Sequence, residues 1–145
     1  MLQELFITNF VLIDKVTINL CDRLNVFSGA TGVGKSMVIG ALNFILGGRA
    51  TADIVRSGKD EATVIGKFSL KDKNLLRQIS KVADNITIDE ELLLQRTIDT
   101  HGRSRCRLND MPITVSLLKE LGEMLVNIHG QHEHETLLHG TNQLY

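Results

Sequence analysis

Gly29-Ala30-Thr31-Gly32-Val33-Gly34-Lys35-Ser36 matches the pattern G-x-x-x-x-G-K-[ST] at every fixed position. A loop that wraps a phosphate chain closely must point its backbone N–H groups inward, and that requires glycine wherever a Cβ would collide. In such a loop Lys35 reaches the β- and γ-phosphates, and the Ser36 hydroxyl coordinates Mg²⁺. Gly29, Ala30, Thr31, Gly32, Val33, Gly34, Lys35 and Ser36 are therefore the expected phosphate-binding residues. ATP and Mg²⁺ are the expected cofactors.

The flanks suit the motif. Leu24-Asn25-Val26-Phe27 follows an Asp22-Arg23 turn and reads as an apolar strand entering the loop. From Lys35 to Leu46, apolar side chains cover nearly every side of a helix, which predicts a buried helix. Its positive end would face the phosphates. Gly47-Gly48 supplies the stop.

Working outward, Leu5 and Ile7, then Val16, Ile18 and Leu20, alternate with polar residues at period two and predict strands. Ala62 to Leu70 predicts another strand, with Val64, Gly66, Phe68 and Leu70 on one face. Asp72 is the expected cap of a helix through Val82. Ile86 to Ile88, Leu92 to Ile98 and Arg103 to Leu108 read as further strands, with Thr100-His101-Gly102 turning between the last two. Thr114 to Leu121 reads as a helix, Met124 to Ile128 as a strand, and Glu133 to Leu138 as the opening of another helix. Thr141 to Tyr145 holds no helix stop, which reads as a piece of something longer. The pattern predicts an α/β fold of the P-loop NTPase class, with a mixed sheet and a P-loop helix.

Composition narrows the partners. The chain has 145 residues, 43% apolar and 23% charged, with sixteen Lys+Arg against seventeen Asp+Glu. This is the balance of one globular domain and excludes a polycation or an acidic tail, though not a local basic patch. Two cysteines, Cys21 and Cys106, exclude a disulfide scaffold and a CxxC metal knuckle. The apolar runs fall far short of the roughly 20 residues that span a bilayer, and MLQELFITNF lacks the features of a signal peptide. A cytoplasmic protein without a membrane partner is the expectation.

The P-loop does not identify its own class. Hydrolysis also needs an acidic strand end to hold Mg²⁺. Ile86-Thr87-Ile88-Asp89-Glu90 is the local candidate, but it is short and interrupted by Thr87, and a solvated turn is the better reading. No serine-glycine-glycine signature loop occurs. Arg96, Arg103, Arg105 and Arg107 suggest a basic strip, with Arg103, Arg105 and Arg107 on one strand face. Such a strip suits DNA phosphates, or is a solvated face partnered by Asp99 and Asp110. With no tryptophan and one tyrosine, any DNA contact would be to the backbone and independent of sequence. His129, His132, His134 and His139 crowd a short segment, but H-E-H places two imidazoles on different helix faces, unlike the i, i+4 spacing of zinc sites. Arg49 reads as a helix-end residue on the negative dipole end, or as an interface residue.

Several blocks, Met1-Leu2-x-Glu4-Leu5-x-Ile7-x-Asn9-Phe10 with Leu12-Ile13-Asp14, Leu46-Gly47-x-Arg49-Ala50, Val55-Arg56-x-Gly58 and His129-Gly130-Gln131-His132-Glu133-His134, together resemble the RecN family of bacterial SMC-like DNA-repair ATPases. The resemblance implies an ATPase head split into two lobes by a long coiled coil. Residues 1–145 would be the N-terminal lobe, with the P-loop at 29–36 and the Q-loop near 131, ending before the coiled coil. The signature motif, Walker B and switch histidine would lie in the C-terminal lobe, so this chain alone would not hydrolyse ATP. Lys35 and Gln131 would be catalytic, and Gln131 would join Ser36 at Mg²⁺ and the attacking water. Arg56 would be a nucleic-acid or interface residue, joining Arg103, Arg105 and Arg107 as candidates, and Asn9-Phe10 would lie near the adenine or form a plain turn.

The implied partners are DNA, the C-terminal lobe, and a second head in a homodimer that sandwiches ATP. The implied setting is double-strand-break repair and recombination in a nucleoid-associated, cytoplasmic protein. The loop reads GATGVGKS where the family more often has GETGAGKS, a departure confined to variable positions. Two rival readings are a self-contained P-loop kinase or nucleotide switch, with Asp89 as its metal-binding acid, and a module that holds nucleotide without turnover.

Overall fold

In the computed structural model the described residues are 2–19 and 32–128. Among the described residues six strands form one sheet in the order β2-β1-β3-β4-β5-β6, with every neighbouring pair antiparallel. The strands are β1 (Leu2–Phe10), β2 (Ile13–Asn19), β3 (Glu61–Ser69), β4 (Glu91–Asp99), β5 (Ser104–Leu108) and β6 (Met111–Ile113). The helices are α1 (Gly32–Ile45), α2 (Lys73–Val82) and α3 (Val115–Ile128). A short 3-10 turn, Ala52–Ile54, lies between α1 and β3.

The two faces of the sheet differ because side chains alternate at period two. Leu5 and Ile7 of β1, Ala62, Val64 and Phe68 of β3, and Leu92, Leu94 and Ile98 of β4 all point to one side. There they form a single core with Ala41, Leu42, Phe44 and Ile45 of α1, Leu75 and Ile79 of α2, and Leu118, Leu121 and Leu125 of α3. The opposite face presents Phe6, Thr63, Ile65, Leu93, Gln95, Arg105 and Arg107, and carries no helix among the described residues.

Several expected elements stand where the sequence places them. Asp72 caps α2, its Oδ1 accepting from the N–H groups of Asn74 at 2.9 Å and Leu75 at 3.4 Å. Gly102, at φ +83°, makes the β4–β5 turn. Helix α1 ends in a Schellman motif: Gly47 takes φ +94°, and the Gly48 and Gly47 N–H groups donate to the Asn43 and Phe44 carbonyls at 2.8 and 3.2 Å.

Three expectations are corrected. Ile86 to Ile88 is not a strand: β4 already has β3 and β5 as neighbours, and the Thr87 carbonyl accepts from Asn109 Nδ2 instead of a ladder partner. Its isoleucines pack against the core from an irregular segment. Met124 to Ile128 is not a strand but the continuation of α3. The β-branched composition there yields to a helix face that buries Leu118, Leu121 and Leu125. The third is Arg96, which faces the core instead of joining an exposed basic strip. A strand the sequence reading missed, β6, pairs with β5 at the sheet edge, where Pro112 is tolerated. Asn109 and Asp110, both at positive φ, form the tight turn that joins them. The strand expected at Leu24 to Phe27 and the helix at Glu133 to Leu138 lie outside the described residues.

Candidate functional site

The first turn of α1 opens at Gly32, directly after Gly29-Ala30-Thr31. A helix start leaves four backbone N–H groups without an intrahelical acceptor. Ser36 is exposed in this region and lines an open cleft of about 890 Å³ with Phe10, Val11, Met37, Gly40, Asn43, Arg49 and Ile54. Gly29, Ala30 and Thr31 lie outside the described residues, as do Gln131, the histidine-rich segment and the side chains of Gly32, Val33, Gly34 and Lys35.

Local geometry shapes the cleft wall. The β1–β2 turn holds Asn9 at φ +53° and Val11 at φ +54°. Asparagine tolerates that region, whereas a β-branched residue there is strained. Two backbone hydrogen bonds hold the turn, Val11 N–H donating to the Ile54 carbonyl at 2.7 Å and Arg56 N–H to the Asn9 carbonyl at 2.9 Å, and together they make Phe10 and Val55 an antiparallel bridge. Between Asn9 and Val11, Phe10 is buried, its ring 5.7 Å from that of Phe44. The turn, α1 and the 3-10 segment therefore form one body around the cleft, and Phe10 and Ser36 share its lining.

Arg96 is the correction to the expected basic strip. It points to the core face opposite Cys106 and is only 4% exposed. Its Nη1 donates to the carbonyls of Phe44 at 2.8 Å and Gly48 at 2.7 Å, its Nε lies 3.3 Å from Ser104 Oγ, and its guanidinium stacks 4.4 Å over the Phe44 ring. Burial pushes its pKa below the ordinary arginine value, opposed by the neighbouring Cys106. The same burial pushes the Cys106 thiol up, opposed by Arg96. The carbonyls at the end of α1 are thus taken by Arg96, while Arg49 lines the cleft. The signal was available in part: Leu92, Leu94 and Ile98 frame a strand whose even positions face inward, and Arg96 is one of them.

Arg105 and Arg107 are exposed along the helix-free face of β5, as their period-two spacing predicts, and Arg103, just before the strand, is also exposed. Arg105 pairs with Glu61 at 2.6 Å, and Arg107 Nη1 donates to the Asp110 carbonyl at 3.3 Å. Arg56 sits beside the β1–β2 turn with its Nη1 3.8 Å from Asp14 Oδ1. Asp89 is not brought to Ser36. It lies two residues before β4, in a separate cleft with Lys67, Leu93 and Asn109, at the Ser69–Glu91 end of the ladder. Phe10 lies beyond the other end, past the Thr8–Thr63 pair. Asp89 therefore does not supply the metal-binding acid that a self-contained kinase would need. Among the described residues no group of three His, Cys, Asp or Glu is placed to hold a metal, and no helix is long and apolar enough to cross a membrane.

Comparison with known proteins agrees with this architecture. The AAA domain family model matches residues 4–131. The chain is 40% identical over 144 residues to the DNA repair protein RecN of Halalkalibacterium halodurans, and 40% identical to RecN of Vibrio cholerae, in both cases over 99% of this chain and 26% of the relative. The chain thus spans about a quarter of the length of these curated relatives. A solved chain from work on ATP-driven dimerization and DNA-stimulated activation of SMC ATPases superposes with a TM-score of 0.69 at 21% identity, covering 94% of this chain and 90% of that one. The chain belongs to the AAA domain family, aligns with RecN proteins over nearly its whole length, and shares the fold of the matched chain from the SMC ATPase work.

Proposed function

We propose that this chain is the ATP-binding lobe of a RecN-like ATPase that acts in DNA double-strand-break repair and recombination. One observation carries the reading: the last five residues of the G-x-x-x-x-G-K-S segment, from Gly32 to Ser36, are the start of α1, where Ser36 lines an open cleft. Unpaired N–H groups, a positive helix end and a serine hydroxyl within the opening of one helix are the donor set that a nucleotide phosphate chain with its metal requires. Gly29 to Ser36 would hold the phosphates, Lys35 would bridge the β- and γ-phosphates, and Ser36 with Gln131 would hold Mg²⁺. The cleft beyond Ser36, walled by Phe10, Met37 and Ile54, is roomy and apolar enough for the base. Bound Mg²⁺ would neutralise charge on the transferring phosphoryl group.

In this reading residues 1–145 form one lobe, with the P-loop at 29–36 and the Q-loop near 131. The acid that polarises water and the signature motif come from elsewhere: a C-terminal lobe of the same ATPase and a second head across a nucleotide-dependent dimer. The chain alone is then inactive in hydrolysis. Arg103, Arg105 and Arg107, with Arg56, would meet DNA phosphates without reading sequence. A cytoplasmic, nucleoid-associated protein follows from that role.

Steady-state ATP hydrolysis tests the proposal, with the chain alone and mixed with the C-terminal lobe of a RecN protein. Lys35→Ala is the blank. Turnover only in the mixture, abolished in the blank, is the expected result. Robust turnover by the chain alone would refute the split-head reading.

A further inference from the structure

We infer that Arg96 is a positioning residue for the nucleotide site: from the central strand β4 it holds the far end of α1 and so sets where the first turn of that helix, with Ser36, stands. The inference rests on the nucleotide-binding reading proposed above. Burying a cation is an unfavourable way to fill a core, because a desolvated charge needs a compensating partner and an apolar side chain of similar volume often serves stability as well. Arg96 is nevertheless 4% exposed, and it hydrogen-bonds two carbonyls and a serine hydroxyl rather than a carboxylate. Its compensation is the negative end of α1, reinforced by the face of Phe44.

The geometry of those bonds is that of a clamp. One nitrogen joins the carbonyl of Phe44, in the last turn of α1, to that of Gly48, which closes the Schellman turn. A planar guanidinium stacked on Phe44 limits both rotation and sliding of the helix end. The anchor itself is stiff, since β4 pairs with β3 on one side and β5 on the other, and Ser104 of β5 meets Arg96 Nε. A 14-residue helix is about 21 Å long, so a tilt of about 3° at the clamp moves the first turn by about 1 Å. Displacement on that scale is enough to degrade a phosphate site built from fixed donors.

Titration of the full chain with a fluorescent ATP analogue and Mg²⁺ tests the inference, using Arg96→Met, Arg96→Lys and Leu75→Ala. Leu75 is fully buried on α2, which packs chiefly on α3, and is not among the partners of Arg96, so it serves as a variant that lowers stability without touching the clamp. Binding is measured at a temperature where circular dichroism shows each variant folded. Arg96→Met is expected to weaken binding about tenfold or more. Arg96→Lys, which keeps the charge but loses the stacked fork, is expected to fall between Arg96→Met and wild type, and remains informative if Arg96→Met does not fold. Leu75→Ala is expected to bind as wild type does. Undiminished binding by folded Arg96→Met, wild-type binding by Arg96→Lys, or an equal loss in Leu75→Ala would each overturn the inference while leaving the nucleotide reading intact. A wild-type chain that binds no nucleotide would overturn the proposed function, and the inference with it.

Discussion

Gly122 of α3 lies directly against the carbonyl oxygen of Leu46, at the end of α1: a Cβ built on this glycine would stand 2.2 Å from that oxygen. Nearby, a Cβ on Gly47 would stand 2.4 Å from the Cα of Lys119. The two helices cross backbone to backbone at this point, and glycine at both positions is what permits it. Gly122→Ala is therefore expected to destabilise the chain by about 1–3 kcal/mol, because overpacking outweighs the gain in helix propensity of about 1 kcal/mol. Gly40→Ala is the contrast. Its Cβ would find the Phe10 ring at 3.7 Å, an ordinary contact, so that substitution is expected to be neutral or to stabilise by up to about 1 kcal/mol. Urea unfolding followed by circular dichroism distinguishes the two.

Asp72 accepts two amide hydrogens at the start of α2 while remaining exposed to solvent. Removing the carboxylate leaves those donors to water. Asp72→Ala is expected to cost about 1 kcal/mol, and Asp72→Asn or Asp72→Ser much less, since both retain an acceptor. A set of thermal melts on the three variants checks the order.

The β4–β5 turn carries a pH dependence. Asp99 Oδ1 accepts from the N–H groups of Arg103 at 3.0 Å and His101 at 2.9 Å. The Arg103 amide chiefly, with burial opposing and His101 adding, holds this carboxyl below the usual aspartate range. A depressed folded-state pKa gives stability that is present above the unfolded value of about 3.9 and is lost as pH falls through the folded value. Acidification below about pH 4 is thus expected to loosen this turn. The protection of the His101 and Arg103 amides against hydrogen exchange, relative to the intrinsic rate at each pH, should fall there, and Asp99→Asn should remove that pH step. Persistence of the step in Asp99→Asn would assign it to another group.

The arginine row on β5 makes a prediction about DNA that follows from the proposed function. Arg103→Gln combined with Arg107→Gln is expected to weaken binding to unrelated duplexes by the same factor. The slope of log affinity against log salt should become shallower by about 0.9 for each phosphate that is no longer neutralised. Fluorescence anisotropy over a salt series reads both quantities. Arg105→Gln is expected to do less, because Arg105 already pairs with Glu61.

Much of this molecule follows from local sequence. Alternation at period two marks Ala62 to Leu70 and Leu92 to Ile98 as strands with one buried face, because each of those side chains meets the same core whatever its neighbours are. The α1 run, its Gly47-Gly48 ending, the Asp72 cap and the Thr100-His101-Gly102 turn are settled within a few residues of themselves, since hydrogen bonds and backbone conformation there are short-range. The P-loop pattern belongs to the same category.

Tertiary structure decided the rest, wherever the deciding partner is remote in sequence. Met124 to Ile128 has the composition of a strand and becomes helix because α3 crosses α1 at Gly122 and buries Leu121 and Leu125. Ile86 to Ile88 stays irregular because both sides of β4 are already taken by β3 and β5. Arg96 has the same side chain as Arg103, Arg105 and Arg107 in the row read as a basic strip, yet it faces inward and binds the end of a helix some 50 residues earlier in the chain. A one-residue change of parity along a strand exchanges solvent for core, and only the packed sheet determines which charges serve the structure and which remain exposed for a partner.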